Sequence, residues 1–439
     1  TPESMSLKKA EIESKPDWYQ IGSDPDYDFT TGGSIDNTTS GDHFGRAVAC
    51  SHDGTRVIVG GYPHSTNQGL VRVYDWNLET GPQYQRGAWE LIGNQTITGT
   101  ADNDLFGRSV AISGDGNIIA VAAPREHANG VADKGVVRVY YLNGSTWTIL
   151  PDSGSFTEAT GLVDAFVGET AEDRLGQGGV KLSYDGYTVA MGEAKDDTGV
   201  ANIGRIRVFT YSNGAWSQKG STLLGNHTEE EFGQGLDMSE DGNHLIIGTK
   251  LQGGTSQPPR VEGIKNADIA EGASADNAGV VYVYHWSGSA WGTPHTLIQP
   301  VTDDDDFGDH QVMSGDGKRI IVGASHADDG GTNSGRLYTF EYTGVSWVRR
   351  DVPSIGADGG TNAYLGMGPS NSAHSHAISK DGSVIVAGES GYYTNGAAYS
   401  GRVRIYNMPS TIKSIWGSND DVNWTKITTA PTREEATSN

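Results

Sequence analysis

The sequence predicts an all-β protein made of repeated antiparallel sheets. Three observations support this prediction. Gly fills 62 of the 439 positions, apolar residues make up only 35% of the chain, and one pattern of short apolar runs separated by turn residues recurs along it. Short strands joined by many turns have this composition, whereas helix-favouring Leu and Lys runs are scarce. The composition therefore disfavours a helical fold.

The recurring pattern occurs six times. Each copy has a Phe-Gly or Leu-Gly start, an alternating run, Ser-x-Asp-Gly or a close variant, a second apolar run, a variable loop and a third run. The second copy reads DLFGRSVAISGDGNIIAVAAP from Asp104 and GVVRVYYLNGSTWTIL from Gly135. The copies start near residues 42, 104, 173, 231, 306 and 364. Self-similarity of this kind is the signature of a repeat architecture.

Each copy predicts four strands. The Asp-Gly pair between the first two runs is typical of a hairpin turn, because Gly accepts positive φ and the Asp carboxylate caps the turn. The second run, such as Ile118 to Ala122, is apolar on both faces, as expected for a strand buried between neighbouring sheets. The third run, from Val136 to Tyr140, alternates, and the Trp-bearing run from Thr146 to Leu150 supplies the fourth strand.

Four-stranded sheets that recur at this spacing pack side by side around an axis, because none of them can bury both faces alone. We therefore predict a six-bladed β-propeller over residues 16–408. Residues 1–15 are predicted to be a linker or N-terminal extension, and residues 409–439 a C-terminal extension or the start of a further module.

Closure of the ring is predicted from the two chain ends. The sixth copy lacks an immediate Trp strand, and Asp17 to Gly22 matches Ala88 to Gly93 almost position for position. The N-terminal strand is therefore predicted to complete the last blade. Alternatively, Trp416 to Ile427 forms the missing strand or begins another module, which would allow seven blades.

The formal net charge of −24 predicts which classes of partner are disfavoured. A strongly negative field opposes binding to phosphate backbones and favours cations or basic partners, so nucleic acid is disfavoured. No apolar run approaches the ~18 residues of a membrane span, so no membrane insertion is expected. The single cysteine, Cys50, excludes an internal disulfide, and its apolar strand predicts that it packs as a small hydrophobic side chain.

The succession of Phe-Gly, Ser-x-Asp-Gly and Gly-x-Val-x-Val-Tyr resembles the FG-GAP repeats of integrin-α-like β-propellers. It is most similar to the variant found in secreted and surface proteins of marine bacteria, algae and their viruses. The resemblance covers about residues 17–408. It implies an extracellular, secreted or surface-exposed module for adhesion, ligand recognition or assembly. Such propellers often carry a calcium loop of the Asp-x-Asp-x-Asp-Gly type. The turns of this chain have one carboxylate where Ca²⁺ requires several oxygen ligands, so calcium is not expected there.

Acidic residues instead cluster just before the Phe-Gly or Leu-Gly starts. Because these starts recur around a ring, their carboxylates should gather at one rim, where a hard cation such as calcium would relieve their repulsion. Alternatively, they are solvated acidic loops that cap the strand starts. The candidate metal ligands are Asp102, Asp104, Asp303, Asp304, Asp305 and Asp306.

Loop aromatics and Asn-x-Ser/Thr triplets supply the other candidate sites. Aromatic rings on loops stack on sugars, and Tyr392, Tyr393 and Tyr399 lie in a predicted loop of the sixth copy. The Trp residues of the fourth strands recur in register, so they are expected to pack the blades together. In a eukaryotic secretory pathway the triplets would accept glycans. These acceptors are Asn37, Asn94, Asn143, Asn226 and Asn423.

The sequence as a whole favours a non-enzymatic interaction or structural module within a larger fibrous, cell-surface or virion-associated protein. Its partner would be a protein or glycan ligand, or copies of itself. No Walker loop, nucleophile elbow, Rossmann fingerprint or metal-binding His spacing occurs in the sequence. The alternative is a secreted polysaccharide hydrolase or lyase, which would need acidic and aromatic groups converging at one mouth of the ring.

Overall fold

The computed structural model describes residues 35, 43–62, 68–77, 88–150, 165–195, 202–225, 231–249, 279–297, 307–324, 326–328, 334–350, 376–389, 402–407, 415–417 and 425–427. The predicted fold is confirmed: the chain is an all-β, six-bladed β-propeller of antiparallel blades. Within the described ranges the only helical segment is a single 3₁₀ turn, Ile92–Asn94. No helix in these ranges is long and apolar enough to cross a membrane.

The strands follow the six repeats in chain order. Blade one contains β1 (Ala47–Cys50), β2 (Arg56–Gly61), β3 (Leu70–Asn77), β4 (Ala88–Leu91) and β5 (Ile97–Thr98). Blade two contains β6 (Ser109–Ile112), β7 (Ile118–Ala123), β8 (Val136–Asn143), β9 (Thr146–Ile149) and β10 (Phe166–Val167). Blade three contains β11 (Val180–Leu182), β12 (Thr188–Glu193), β13 (Arg205–Ser212), β14 (Ala215–Gln218) and β15 (Leu223–Leu224).

The remaining blades have fewer described strands. Blade four contains β16 (Gly235–Met238), β17 (His244–Thr249), β18 (Val280–His285) and β19 (His295–Leu297). Blade five contains β20 (Phe307–Met313), β21 (Arg319–Ala324), β22 (Arg336–Tyr342) and β23 (Trp347–Arg349). Blade six contains β24 (His376–Ile378), β25 (Val384–Glu389) and β26 (Arg402–Asn407). A further pair, β27 (Ile415–Gly417) and β28 (Thr425–Ile427), is antiparallel.

Each blade is a meander whose strands pair in chain order from the innermost outwards. The first strands of successive blades lie next to one another and form the inner ring. In blades one to three the outer edge is a broken strand, since two short segments pair with the same third strand. In blade one, β4 and β5 both pair with β3.

The six turns between first and second strands share one hydrogen-bond pattern. In the turn of blade two, Ser113 Oγ donates to Asp115 Oδ1 at 2.6 Å, and the same oxygen accepts the Asn117 N–H at 2.9 Å. Ser113 Oγ in turn accepts the Ile118 N–H at 3.0 Å. The predicted capping role of the Asp-Gly turns is thus confirmed. The equivalent Ser–Asp pairs are Ser51–Asp53, Ser183–Asp185, Ser239–Asp241, Ser314–Asp316 and Ser379–Asp381.

The hydrophobic core consists of clusters between neighbouring blades. All six residues of β7 are buried, and they alternate between two clusters. Ile119 and Val121 pack with blade one, whereas Ile118 and Ala120 pack with blade three. This is the two-sided burial predicted for the second strands. The fourth-strand residues Trp147 and Trp216 are buried in these clusters, as expected for blade anchors.

The Phe-Gly or Leu-Gly starts of blades two to five fit against a glycine of the preceding blade. Gly69, which precedes β3, has a φ of +84°, and a Cβ at this position would overlap the Phe106 backbone. Phe106 is buried between blades one and two, and its N–H donates to the Gln68 carbonyl at 3.0 Å. The two glycine-containing motifs of the repeat therefore meet at the blade interface and require Gly there.

The structure contradicts the prediction for Cys50 and does not describe the predicted closing strand. Cys50 is exposed, so the prediction that it packs as a small hydrophobic side chain is wrong. Ala47 and Ala49 of β1 pack towards blade two, and Cys50 therefore lies on the opposite side of an innermost strand. The predicted closing strand from Asp17 to Gly22 lies outside the described residues.

Candidate functional site

The two faces of the propeller are built differently. Every first strand ends at its Ser-x-Asp-Gly turn, so all six turns lie on one face, here called the turn face. The loops between second and third strands, and the segments that enter the first strands, lie on the opposite face, here called the loop face. The turns are of constant length, whereas the loops vary from 62–69 in blade one to 250–279 in blade four.

A chain of backbone hydrogen bonds joins the turns from blade to blade. The residue between Ser and Asp donates its N–H to the carbonyl of the equivalent residue in the next blade. The first of these bonds runs from His52 N to Gly114 O at 2.9 Å. The others are Gly114 to Tyr184 at 2.7 Å, Tyr184 to Glu240 at 2.7 Å, Glu240 to Gly315 at 3.0 Å and Gly315 to Lys380 at 2.9 Å. These five bonds link the turns of all six blades in one continuous chain, from His52 to Lys380.

Four side chains of this ring converge, and we call them the axial cluster: His52, Tyr184, Glu240 and Lys380. His52 Nδ1 lies 3.5 Å from Glu240 Oε1, and Lys380 Nζ lies 2.8 Å from Glu240 Oε2. The Lys380 ammonium also lies 5.1 Å from the centroid of the Tyr184 ring, and the His52 ring contacts Tyr184 edge-on. These contacts join blades one, three, four and six at the centre of the turn face.

The two remaining ring positions are glycines because the axial cluster lies over them. A Cβ on Gly114 would overlap the Tyr184 ring, and a Cβ on Gly315 would come within 2.8 Å of both Glu240 and Lys380. Neither glycine has a positive φ, so it is the lack of space that excludes a side chain. The centre of the turn face is thus filled by the protein's own side chains.

On the loop face, arginines of the third strands anchor the loops from within. Arg138 of β8 makes a bidentate pair with Glu126, with both N···O distances at 2.6 Å. Both residues are largely buried, and Glu126 belongs to the loop that follows β7. Arg72, at the equivalent position in blade one, donates to Thr96 Oγ1 at 2.9 Å. Buried pairs of this geometry fix the loop relative to the sheet.

Blade three carries a larger buried charge network at the same place. Arg207 Nε donates to Glu193 Oε1 at 2.6 Å, and Arg207 Nη2 donates to the Val167 carbonyl at 2.7 Å. Arg205 lies 2.7 Å from Glu169 and 4.0 Å from the fully buried Asp173. Burial raises the pKa of Glu193 to about 7, although Arg207 and Arg205 act in the opposite direction.

Two arginines near the start of the first strands give the loop face a local positive charge. The guanidinium carbons of Arg46 and Arg108 lie 4.7 Å and 5.4 Å from the centroid of the same Tyr62 ring. Arg108 Nη1 also donates to the Tyr62 hydroxyl at 2.5 Å, and Arg46 Nη1 lies 3.2 Å from His43 Nδ1. Among the described residues neither guanidinium has a carboxylate partner. In a chain with a net charge of −24 the two guanidiniums are a local site of positive charge.

Two of the predicted metal ligands lie in the described part of the chain. Asp104 is buried, and its Oδ2 accepts hydrogen bonds from Thr100 N, Thr100 Oγ1 and Ala101 N at 3.0, 2.8 and 2.7 Å. These bonds cap the turn before Phe106, which is the alternative role given above for acidic residues at this position. Asp102 is exposed. Within the described ranges, no three His, Cys, Asp or Glu side chains are close enough to hold a metal ion together.

The other predicted site residues divide between exposed positions and positions outside the described ranges. Asn94 and Asn143 are exposed, so a glycan at either would meet no steric barrier from the fold. Outside the described residues lie Asp303, Asp304, Asp305, Asp306, Tyr392, Tyr393, Tyr399, Asn37, Asn226 and Asn423. The calcium, aromatic-ligand and glycosylation predictions therefore stay predictions.

The sequence did not predict one histidine pair at the turn-face end of blade four. His285 Nδ1 lies 3.0 Å from His244 Nε2, although the two residues are far apart in the chain. They are direct cross-strand partners of β17 and β18.

The register between second and third strands is the same in all six blades. The third residue after the turn Asp pairs with the sixth residue after the glycine that precedes the third strand. The pairs of the other blades are Arg56–Asp75, Ile118–Tyr141, Thr188–Thr210, Arg319–Glu341 and Val384–Asn407.

The repeated blades, the glycine contacts and the capped turns define the class of protein: a six-bladed β-propeller whose blades are copies of one unit. Residues 96–140 match the family described as FG-GAP repeat, so the chain carries an FG-GAP repeat and the resemblance to this repeat is confirmed, whereas the similarity to the marine bacterial, algal and viral variant stays a prediction. The matched segment contains the Phe106-Gly107 start and most of the third strand of blade two. No curated protein sequence matches the chain.

Solved structures resemble the chain only at low identity. The periplasmic gluconolactonase of Pseudomonas aeruginosa is 14% identical, with 87% of this chain and 94% of that chain covered and a TM-score of 0.43. The GH74 enzyme of Niastella koreensis is 14% identical, with 88% and 45% covered and a TM-score of 0.43. Prolyl oligopeptidase B from Galerina marginata is 11% identical, with 86% and 45% covered and a TM-score of 0.43. Similarity at this level has no bearing on the function of this chain.

Proposed function

We propose that the chain is a non-enzymatic interaction module of an extracellular or surface protein, and that it binds its partner through the loop face. The observation that carries this proposal is the contrast between the two faces. On the turn face, six Ser-x-Asp-Gly turns of one type are linked in a chain of hydrogen bonds, and the axial cluster lies at their centre. The longest connection between described strands, 250–279, belongs to the loop face, and binding residues of rigid scaffolds concentrate in such loops.

The loop face also has the rigidity that recognition requires. Glu126, in the loop that follows β7, pairs with the buried Arg138 of β8, so this loop is fixed to the sheet. In blade three, Arg207 and Glu193 join β13 to the end of β12, from which the next loop starts. A loop that is ordered before binding loses less conformational entropy when a partner arrives. The described loop from 124 to 135 has further internal bonds, since Ala128 and Val131 exchange two backbone hydrogen bonds at 3.1 and 3.0 Å.

Arg46 and Arg108 indicate where an acidic partner would bind. The overall negative charge repels anionic partners at long range, so recognition of an anionic group requires a local basic site. Two guanidiniums held against Tyr62 near the centre of the loop face provide one. A glycan or protein that carries carboxylate or sulfate groups therefore fits this position.

The test is a binding screen with matched variants of the two faces. The whole chain is screened against neutral, uronate-containing and sulfated polysaccharides for binding and for released reducing ends, and its self-association is measured by sedimentation. The double variant Arg46→Gln, Arg108→Gln should lose binding to an anionic glycan. The turn-face variant Lys318→Gln, at an exposed position, should retain it.

Two results would overturn the proposal. Release of reducing ends by the wild-type chain would favour the polysaccharide hydrolase or lyase. If the double arginine variant still binds the anionic glycan and a turn-face variant does not, the binding site lies on the turn face. Self-association through the loop face would identify a second copy as the partner and would leave the interaction role intact.

A further inference from the structure

We propose that His244 and His285 form a binding site for a divalent transition-metal ion, Cu²⁺ or Zn²⁺, at the turn-face end of blade four. The two ring nitrogens that face each other, His244 Nε2 and His285 Nδ1, are 3.0 Å apart. At this distance one ring N–H donates a hydrogen bond to the nitrogen of the other ring. A metal ion that replaces the proton would be held by two imidazoles, and water would fill its other coordination positions.

The spacing of the two nitrogens suits a shared metal ion. Two nitrogens at about 2.0 Å from an ion are about 2.9 Å apart when they are cis in a square-planar Cu²⁺ site. In a tetrahedral Zn²⁺ site they are about 3.4 Å apart. The observed 3.0 Å lies between these values, so the two nitrogens need not move apart to bind one ion, although each ring has to rotate until its lone pair points at the ion. The ring planes are inclined at 37°, so the pair is not a parallel stack.

The surroundings of His244 favour the tautomer that a metal requires. Its other nitrogen, Nδ1, lies 3.4 Å from Ser239 Oγ and 3.9 Å from Asp241 Oδ1. An imidazole whose Nδ1–H points at oxygen atoms has a free lone pair on Nε2, and metal-binding histidines are commonly oriented in this way.

The strand register places His244 and His285 opposite each other, so their proximity does not depend on side-chain flexibility alone. His244 is held on its other side by blade five, since a Cβ on Gly317 would come within 2.6 Å of its Nδ1. At the same register position blades one and five place an arginine opposite a carboxylate, Arg56–Asp75 and Arg319–Glu341. Blade four instead has two nitrogen donors and no carboxylate between them, which is a ligand pair for a soft or borderline cation.

The charges near the pair favour a cation. The Asp241 carboxylate lies 3.9 Å from His244 Nδ1, so one negative charge lies beside the pair. Lys219 is the nearby cation, and its ammonium is already engaged by Gly242 O at 2.7 Å and Asn243 Oδ1 at 2.9 Å. The site is also accessible, because His285 is exposed.

The experiment titrates the whole chain with Cu²⁺ and with Zn²⁺ separately, near pH 7.5, by calorimetry and, for Cu²⁺, by electron paramagnetic resonance. The wild type should bind one ion of either metal with nitrogen hyperfine structure in the Cu²⁺ spectrum. His285→Gln should weaken binding by more than the 10–100-fold that loss of a hydrogen-bonded neighbour of a ligand typically costs. Ca²⁺ should not compete, because it prefers oxygen ligands.

The matched control is His295→Gln, which removes another exposed histidine of the same blade that is not part of the pair. It should bind both metals like the wild type. The proposal would be overturned if the wild type binds no ion, or if the wild type and His285→Gln bind Cu²⁺ and Zn²⁺ with equal affinity. The two histidines would then form only a hydrogen bond. Because His285 is exposed, its variant is expected to fold, and circular dichroism of each protein checks this directly.

Discussion

His52 and Glu240 belong to opposite blades of the ring, and their side chains meet at 3.5 Å. Tyr184 and Lys380, of the other two blades in the axial cluster, also lie opposite each other, and the Lys380 ammonium is 5.1 Å from the Tyr184 ring centroid. Contacts between opposite blades of a six-membered ring must cross its axis. The axial cluster therefore ties blades that share no interface, in addition to the bonds between neighbours.

Removal of the Glu240 charge should weaken this connection. Glu240→Gln removes the negative charge that lies between His52 and Lys380, and we expect a small fall in the melting temperature at low salt that shrinks as salt rises, since exposed ion pairs are weak and screened. Thermal unfolding at two ionic strengths measures the effect. Lys318→Met removes a peripheral turn-face pair and should change less. A salt-independent loss would contradict the electrostatic explanation.

The two ring glycines should tolerate no side chain while the axial cluster is present. Gly114→Ala would place a methyl group in the Tyr184 ring, and we expect a destabilisation of about 1–3 kcal/mol, as for other overpacked sites. Tyr184→Ala should restore most of this loss in the double variant. Gly292→Ala is the control, because a Cβ there meets its nearest atom at 3.5 Å. Denaturant unfolding measures all four proteins, and equal losses in the single and double variants would rule out the steric explanation.

The turn carboxylates should make the propeller sensitive to acid. Hydrogen bonds from Ser51 and Thr55 lower the pKa of Asp53 to about 2, below its value in an unfolded chain. A lowered pKa stabilises the folded state above the unfolded value near 4, and this stabilisation is lost as pH falls from about 4 to 2. Unfolding midpoints between pH 5 and 2 should therefore fall less steeply for Asp53→Asn than for the wild type. An unchanged slope would contradict the assignment.

The sequence predicted what each repeat contains, because the chemistry of each element is local. The Ser-x-Asp-Gly turns form as predicted, since the bonds from Ser113 and Asn117 to Asp115 involve residues close in the chain. The burial of Ile118 to Ala122 on both faces follows from its apolar run. These features need no knowledge of how the blades are arranged.

The sequence did not predict what depends on closure and register. His52 and Glu240 stand at the variable position of two turns, and only the ring brings them together. The His244–His285 pair follows from the constant offset between the turn Asp and the third-strand glycine, a rule that could have been inferred had the register been known. Cys50 was wrongly placed because an apolar run does not show which of its residues lie on the side of β1 that packs against blade two.

The buried pair of Arg138 and Glu126 should be essential for the loop that it anchors. Glu126→Ala would leave the Arg138 guanidinium buried without its bidentate partner, and breaking such pairs costs about 3–5 kcal/mol. Replacement of both residues in Glu126→Leu, Arg138→Met should cost much less, because no unpaired charge remains. Glu169→Ala is the control, since its side chain is half exposed beside Arg205. Denaturant unfolding together with hydrogen exchange of the segment 124–135 measures both consequences. If Glu126→Ala is no more harmful than Glu169→Ala, the arginine does not anchor the loop, and the rigidity assigned to the loop face loses its main support.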